Sequence, residues 1–341
     1  MNATAGAMRD HGGNIDAAIA RFGAGDWLDL STGINRRPYP LPPLPAEAWR
    51  ALPTRAAQEA LVAQAVSAWG IAPGVEGIAL AGAQAAIQSV PRLRAPGRAH
   101  VLAPSYNEHA AGLRVAGWHV VECAEAEALR GADLAVLVNP NNPDGRCWRP
   151  DDVLALARAV GLLVVDESFA DAVPGVSVLA RAAEADNLLV LRSFGKFYGL
   201  AGVRLGFAFG APGPIAALAA AAGPWPVAGP AIAVGVVALG DDAWAAAMRA
   251  QLALDARRLD ALAAGAGWAL VGGTPLFRLY DVGDARAGRD RLARHHVWAR
   301  VFPYSARWLR LGLPGPEAEW DRVRDALAQG AGGGGRGALP P

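Results

Sequence analysis

Between residues 76 and 210 the chain alternates short apolar runs with stretches of helical periodicity. The runs at 78–81, 100–103, 119–122, 134–138, 162–166, 188–192 and 204–209 read as strands. Leu134–Val138 and Leu162–Val165 are aliphatic at every position, the composition of strands buried on both faces. That pattern predicts an α/β fold with a mostly parallel, seven-stranded sheet covered by helices. Ligands of such sheets bind beyond the carboxyl ends of the strands, and the polar residues here cluster just after the apolar runs.

Upstream, a short helical pattern at 15–21 precedes a Pro-rich stretch at 38–45. A helix over roughly 55–69 carries Ala57, Leu61, Ala65 and Ala68 on one face. Downstream, Pro and Gly at 211–214 and 223–226 interrupt the alternation. Helices at 229–239 and 241–264, a strand at 275–280, a helix at 285–295, a strand at 308–311 and a helix at 316–328 then predict a smaller α+β domain. The expected organisation is an N-terminal segment at 1–45, a large domain at 46–225, a small domain at 226–329 and a disordered Gly-rich tail at 330–341.

Composition narrows the function classes. A net charge of +1 gives no electrostatic case for nucleic acid, and no uninterrupted apolar stretch reaches membrane-spanning length. The N-terminus has no apolar signal core. Cys123 and Cys147 make neither a disulfide framework nor a metal-ligand spacing, so no metal is expected. The expectation is a cytoplasmic protein acting on a small molecule.

Candidate chemistry centres on Lys196. It stands among small residues just past the run at 188–191, where an amine is placed to condense with a carbonyl. The alternative is a surface lysine in a loop. Ser193 and Arg204, on either side of it, suit a phosphate, Arg204 as a planar fork. Asp166 ends the run at 162–166 and is either a solvent-facing strand-end acid or a partner for a protonated ring nitrogen. Asn139-Pro-Asn-Asn-Pro-Asp-Gly145 is a strong turn. Gly82, Ala83 and Gln84 open a helix whose first N–H groups suit an anion.

Ser193-x-x-Lys-x-x-Gly-Leu-x-Gly-x-Arg-x-Gly206 resembles the cofactor-lysine motif of fold-type I pyridoxal-phosphate (PLP) enzymes of the aminotransferase class I/II superfamily. The resemblance implies PLP as cofactor and Lys196 as its catalytic anchor. Asp166 would be the pyridinium partner and Tyr106 the ring-stacking residue. Gly82, Ala83, Gln84, Ser193 and Arg204 would hold the phosphate. Asn142 would donate to the phenolate oxygen and also meet substrate, with Asp144 standing where the family motif has threonine. His109 would hold Asp166 by a hydrogen bond, or be an ordinary structural histidine. Arg310 would bind the substrate α-carboxylate. Arg300 would take a substrate phosphate, or be an ordinary basic strand residue.

Phe169 stands where most of the superfamily has a tyrosine. His11-Gly-Gly-Asn14 and Leu30-Ser-Thr-Gly-Ile-Asn35, with Phe169 and Leu309-Arg-Leu-Gly-Leu-Pro314, resemble the threonine-phosphate decarboxylases of cobalamin biosynthesis, nearly from end to end of the chain. That group implies decarboxylation of L-threonine O-3-phosphate to (R)-1-amino-2-propanol phosphate, with His11 on the substrate phosphate and Gly33 in the substrate site. His-Gly-Gly-Asn also reads as a flexible terminal turn. Leu52-Pro53 stands where the family places an intersubunit tyrosine, and a homodimer is the family's expectation. The runner-up is an aminotransferase resembling histidinol-phosphate aminotransferase. A non-catalytic module is a third class, which the retained Lys196, Asp166 and Arg310 count against.

Overall fold

The computed structural model describes residues 11–328, so the tail at 330–341 lies outside the described residues. Packing divides these residues into two compact units. The larger comprises 37–253 with 273–276; the smaller comprises 11–36, 254–272 and 277–328. The helix Gly229–Leu239, which the sequence reading assigns to the small domain, therefore belongs to the larger unit. There it packs on the helix Arg55–Ala68, with Gly235 against Leu61.

The larger unit is built on strands β1 Glu76–Leu80, β2 Arg98–Leu102, β3 His119–Cys123, β4 Leu134–Val138, β5 Leu163–Asp166, β6 Leu188–Ser193 and β7 Gly206–Gly210. They form one sheet in the order β1-β7-β6-β5-β4-β2-β3. Only β7 runs against its neighbours, so the sheet is mostly parallel. Every residue of β4 and β5 is buried, as strands covered on both faces require. Val136, Val164, Leu189 and Leu191 pack with Ile87 and with Ile215 and Leu218 of the helix Pro212–Ala222. Burying one such side chain contributes roughly 2 kcal/mol.

Successive strand residues point to opposite faces, and the central strands use both for charge. Arg192 on β6 lies between Glu167 (3.0 Å) and Asp171 (2.6 Å). The Trp69 indole N–H donates to Asp171 at 2.7 Å and its ring covers the guanidinium at 4.5 Å. The neighbours of Glu167 and Arg192 in sequence, Asp166 and Ser193, line a cleft. Removing one partner of this buried cluster would strand its opposite charge, which costs several kcal/mol, on the order of 3–5.

The smaller unit is built on a four-stranded sheet of β8 Ala269–Thr274, whose last two residues count with the larger unit, β9 Phe277–Asp281, β10 Arg300–Phe302 and β11 Ser305–Gly312, in the order β10-β11-β9-β8. The sequence pattern misses β8 and β10. β8 is an exposed edge with two glycines, and β10 has three residues, too short to show alternation. Helices Ala285–Ala293 and Glu317–Ala328 lie where their periodicity predicts.

A Cβ added at Gly206 would lie 2.2 Å from the Ala83 amide nitrogen, so the seat of the helix Ala83–Ser89 on β7 has no room for one. Gly206→Ala should lower stability by roughly 1–3 kcal/mol, the range for overpacked sites. Gly265 faces open space at the end of a helix, and Gly265→Ala should raise stability by about 0.5 kcal/mol. Thermal melting of both variants is the check; a Gly206→Ala protein that melts with the wild type would contradict the tight seat.

Candidate active site

The cleft in the larger unit is lined at the carboxyl ends of β1, β4, β5 and β6. After β1 the chain turns at Gly82, whose φ of +79° suits a residue without a side chain. A Cβ there would approach Arg204 Nη2 to 2.8 Å, so Gly82 also makes the space the guanidinium occupies. Arg204 itself sits in the left-handed region at φ +54°, a conformation that costs a non-glycine residue on the order of 1 kcal/mol. Its Nη1 donates to the Ala201 carbonyl at 3.2 Å. Beyond β6, Ser193 leads into the single turn Phe194–Phe197, which delivers Lys196 into the cleft. Lys196 Nζ lies 5.7 Å from the centre of the Phe169 ring.

Asp166 ends β5 and is 2% exposed. Its Oδ2 meets His109 Nε2 at 2.9 Å, and its Oδ1 accepts from the Ser168 hydroxyl at 2.5 Å and the Ser168 amide at 2.9 Å. Burial pushes the carboxyl up; the His109 imidazole and the Ser168 donors outweigh it and hold the group below the ordinary carboxylate range. A folded value below the unfolded one means that its contribution to stability is full above about pH 4 and is lost as pH falls through the folded value. On the same wall the Tyr106 hydroxyl donates to Gln84 Oε1 at 3.1 Å, and Gln84 Nε2 donates to Glu108 at 2.9 Å. That chain fixes the orientation of the Gln84 amide.

The smaller unit carries a second set of residues. Arg300 and Arg310 are cross-strand partners on β10 and β11. Arg310 is 6% exposed, donates to the Ser31 carbonyl at 2.7 Å and lies 5.2 Å from the Phe277 ring centre. Burial, then the like charge of Arg300, lowers its pKa to about 10, so it stays cationic at neutral pH and gains from an anion. Ser31 is a junction: its hydroxyl donates to Asp29 at 2.6 Å and accepts the Gly13 amide at 2.7 Å. A Cβ at Gly12 would strike the Ser31 carbonyl at 2.4 Å, so the chain after His11 runs hard against Ser31. Asn14 caps the helix Ile15–Phe22 through Ala17 N. The His-Gly-Gly-Asn stretch is thus an ordered element of this unit, and Gly33 is buried within it.

Gly82, Ala83, Gln84, Tyr106, Asn142, Asp166, Phe169, Ser193, Lys196 and Arg204 come together in the cleft. His109 stands behind Asp166 rather than in the lining. His11, Gly33, Arg300 and Arg310 lie in the smaller unit. Sequence reasoning missed Ser168 and Glu108. A serine two residues after a strand-end aspartate is a turn signal that would have found the first; nothing local marks the second.

The chain belongs to the aminotransferase class I and II family, whose model matches residues 54–327. Within it the chain is 43% identical to a threonine-phosphate decarboxylase of Sinorhizobium sp and 45% identical to one of Pseudomonas aeruginosa, in each case over 94% of this chain and 97% of the relative. In fold it is similar to a histidinol-phosphate aminotransferase of Sinorhizobium meliloti solved with pyridoxal 5'-phosphate, at a TM-score of 0.79 and 22% identity, covering 92% of this chain and 93% of that one.

The cleft fits pyridoxal 5'-phosphate. Gly82 leaves the space beside Arg204 that a Cβ would fill, and Arg204, Ser193 and the amides of Ala83 and Gln84 are a phosphate donor set. An ionised Asp166 suits a protonated ring nitrogen, and Lys196 in the lining would supply the amine. Removing His109 leaves the burial of Asp166 opposed by Ser168 alone. His109→Ala should therefore weaken retention of the cofactor by on the order of tenfold, the equivalent of one pKa unit, and His109→Gln, which keeps a donor, by less. Equilibrium dialysis measures both; unchanged retention in His109→Ala would contradict the pairing.

Proposed function

We propose that this protein is a threonine-phosphate decarboxylase that converts L-threonine O-3-phosphate to (R)-1-amino-2-propanol phosphate and CO2 in cobalamin biosynthesis. The observation that carries the reading is the identity of 43–45% with two threonine-phosphate decarboxylases over nearly the whole chain. The cleft supports it by joining Lys196 and Asp166 to a phenylalanine, Phe169, at the position where a transaminase-like site carries a hydroxyl.

When bound at Lys196, pyridoxal 5'-phosphate supplies an electron sink for the pair released as the Cα–carboxylate bond breaks. Asp166 would keep a proton on the ring nitrogen, and His109 and Ser168 hold the Asp166 carboxylate in place. Tyr106 would pack on the ring and Asn142 would donate to its phenolate oxygen, both from the cleft lining. Ser193, Arg204 and the Gly82–Gln84 turn would hold the cofactor phosphate. Each such preorganised contact contributes on the order of a few kcal/mol. By the family resemblance, Arg310 would take the substrate carboxylate, and Arg300 and His11, with the chain at Gly33, the substrate phosphate. Lys196, in the cleft lining, would be the group that returns a proton to Cα.

We read the enzyme as a cytoplasmic homodimer. Free thiols at Cys123 and Cys147 suit a reducing compartment. Leu41, Trp49 and Leu52 are exposed apolar side chains near one another in sequence, the composition of a surface that a second copy covers. Among the described residues no single helix is long and apolar enough to cross a membrane.

Cofactor-loaded protein given L-threonine O-3-phosphate should release stoichiometric CO2 with no requirement for a 2-oxo acid. Glutamate formed from 2-oxoglutarate without CO2 would overturn the decarboxylase and favour an aminotransferase instead.

A further inference from the structure

The loop after β4 holds a charged lock that the cofactor roles leave unused. Asn139 is fully buried, donates to the Trp148 and Val176 carbonyls at 3.0 and 3.2 Å, and accepts the Trp148 amide at 3.0 Å. Asn141 is also fully buried; its amide donates to the Arg146 carbonyl and its own carbonyl accepts Gly145 N, both at 2.8 Å. Asp144 closes the loop. Its Oδ1 accepts from Asn141 Nδ2 at 2.8 Å and Arg146 N at 3.0 Å, and its Oδ2 accepts from Arg146 Nε at 2.8 Å. Asn141 Nδ2 also donates to the Pro104 carbonyl at 3.0 Å, two residues before Tyr106.

We propose that Asp144 is a positioning residue that ties the Asn142 loop to the Tyr106 segment and thereby aims Asn142 at the cofactor. Asn142 stands between Asn141 and Pro143, so its backbone is set by a neighbour that Asp144 holds directly. The loop cannot relax toward the chain behind it, because a Cβ at Gly145 would lie 2.2 Å from the Gly273 carbonyl. Threonine, the residue of the resembled motif, offers one neutral acceptor. A carboxylate receives three donors from two residues, and its bonds to a guanidinium are charge-assisted and about twice as strong as neutral ones. The carboxylate thus recruits Arg146, itself held by the Ala124 carbonyl at 3.2 Å and over the Trp148 ring at 5.7 Å.

The inference rests on the reading that Asn142 donates to the cofactor's phenolate oxygen. Its test is the pH midpoint of the visible absorbance band of the loaded enzyme, measured in Asn142→Ala, Asp144→Ala, Asp144→Asn and the double variant Asn142→Ala/Asp144→Ala. Loss of a donor to the anionic oxygen raises that midpoint. Asn142→Ala should raise it by roughly one pH unit and Asp144→Ala by about half as much, with Asp144→Asn smaller again, the size expected for one hydrogen bond. In the Asn142→Ala background the Asp144 substitution should add nothing, since it acts through Asn142. An unchanged midpoint in Asp144→Ala beside a shifted one in Asn142→Ala overturns the proposal alone, as does an additive shift in the double variant. An unchanged midpoint in Asn142→Ala overturns both the proposal and the Asn142 assignment. Should Asp144→Ala fail to fold, the same comparisons are made with Asp144→Asn, where no shift overturns the proposal.

Discussion

Holding a carboxylate ionised at the buried end of a parallel strand is the constraint on which the rest of the site depends. Taking Asp166 out of water favours its neutral form, and a neutral acid at that place would hold no proton on a ring nitrogen. The chain answers with three donors from two residues. His109 reaches it from the helix Glu108–Val115, and Ser168 reaches it from two positions on in sequence. Because the first comes from a different strand–helix unit, the charge state of Asp166 is a property of the assembled sheet.

The same economy of placement runs through β5 and β6. Alternate residues turn Asp166 and Ser193 into the cleft and send Glu167 and Arg192 into a buried cluster with Asp171 and Trp69 on the other face. Burial raises the Glu167 carboxyl while Arg192 opposes the shift, so this cluster needs its partners in register. A slip of one residue in either strand would exchange the two faces and lose both arrangements at once. The cleft residues are thus held by the packing of the whole unit, which suits a site that must keep its geometry through a reaction.

The sheet was legible because its strands are buried on both faces. Leu134–Val138 has no polar position to blur the reading, and the pattern places that strand at the bounds the structure has. The strand predicted at 204–209 is Gly206–Gly210 instead, because Arg204 takes a left-handed turn that a hydropathy pattern does not encode. β8 and β10 escaped because an exposed edge and a three-residue strand carry almost no periodicity. In the site, Lys196 was readable from its place just past a strand end, while Asn142 was readable only through resemblance to a family motif. Glu108, which holds Gln84, and the Asp144 lock were not, because their meaning lies in partners brought together by folding. His11-Gly-Gly-Asn14 carried two readings in sequence, and the packing of Gly12 on Ser31 makes it an ordered element.

The most direct test of the central constraint needs no substrate. Protein labelled with carbon-13 at the aspartate carboxyl, with Asp166→Asn used only to assign the Asp166 signal, can be titrated by NMR. The Asp166 resonance should remain that of a carboxylate across neutral pH and titrate below the ordinary aspartate value of about 3.9. A midpoint above that value would show that burial outweighs His109 and Ser168, and would contradict the role given to Asp166.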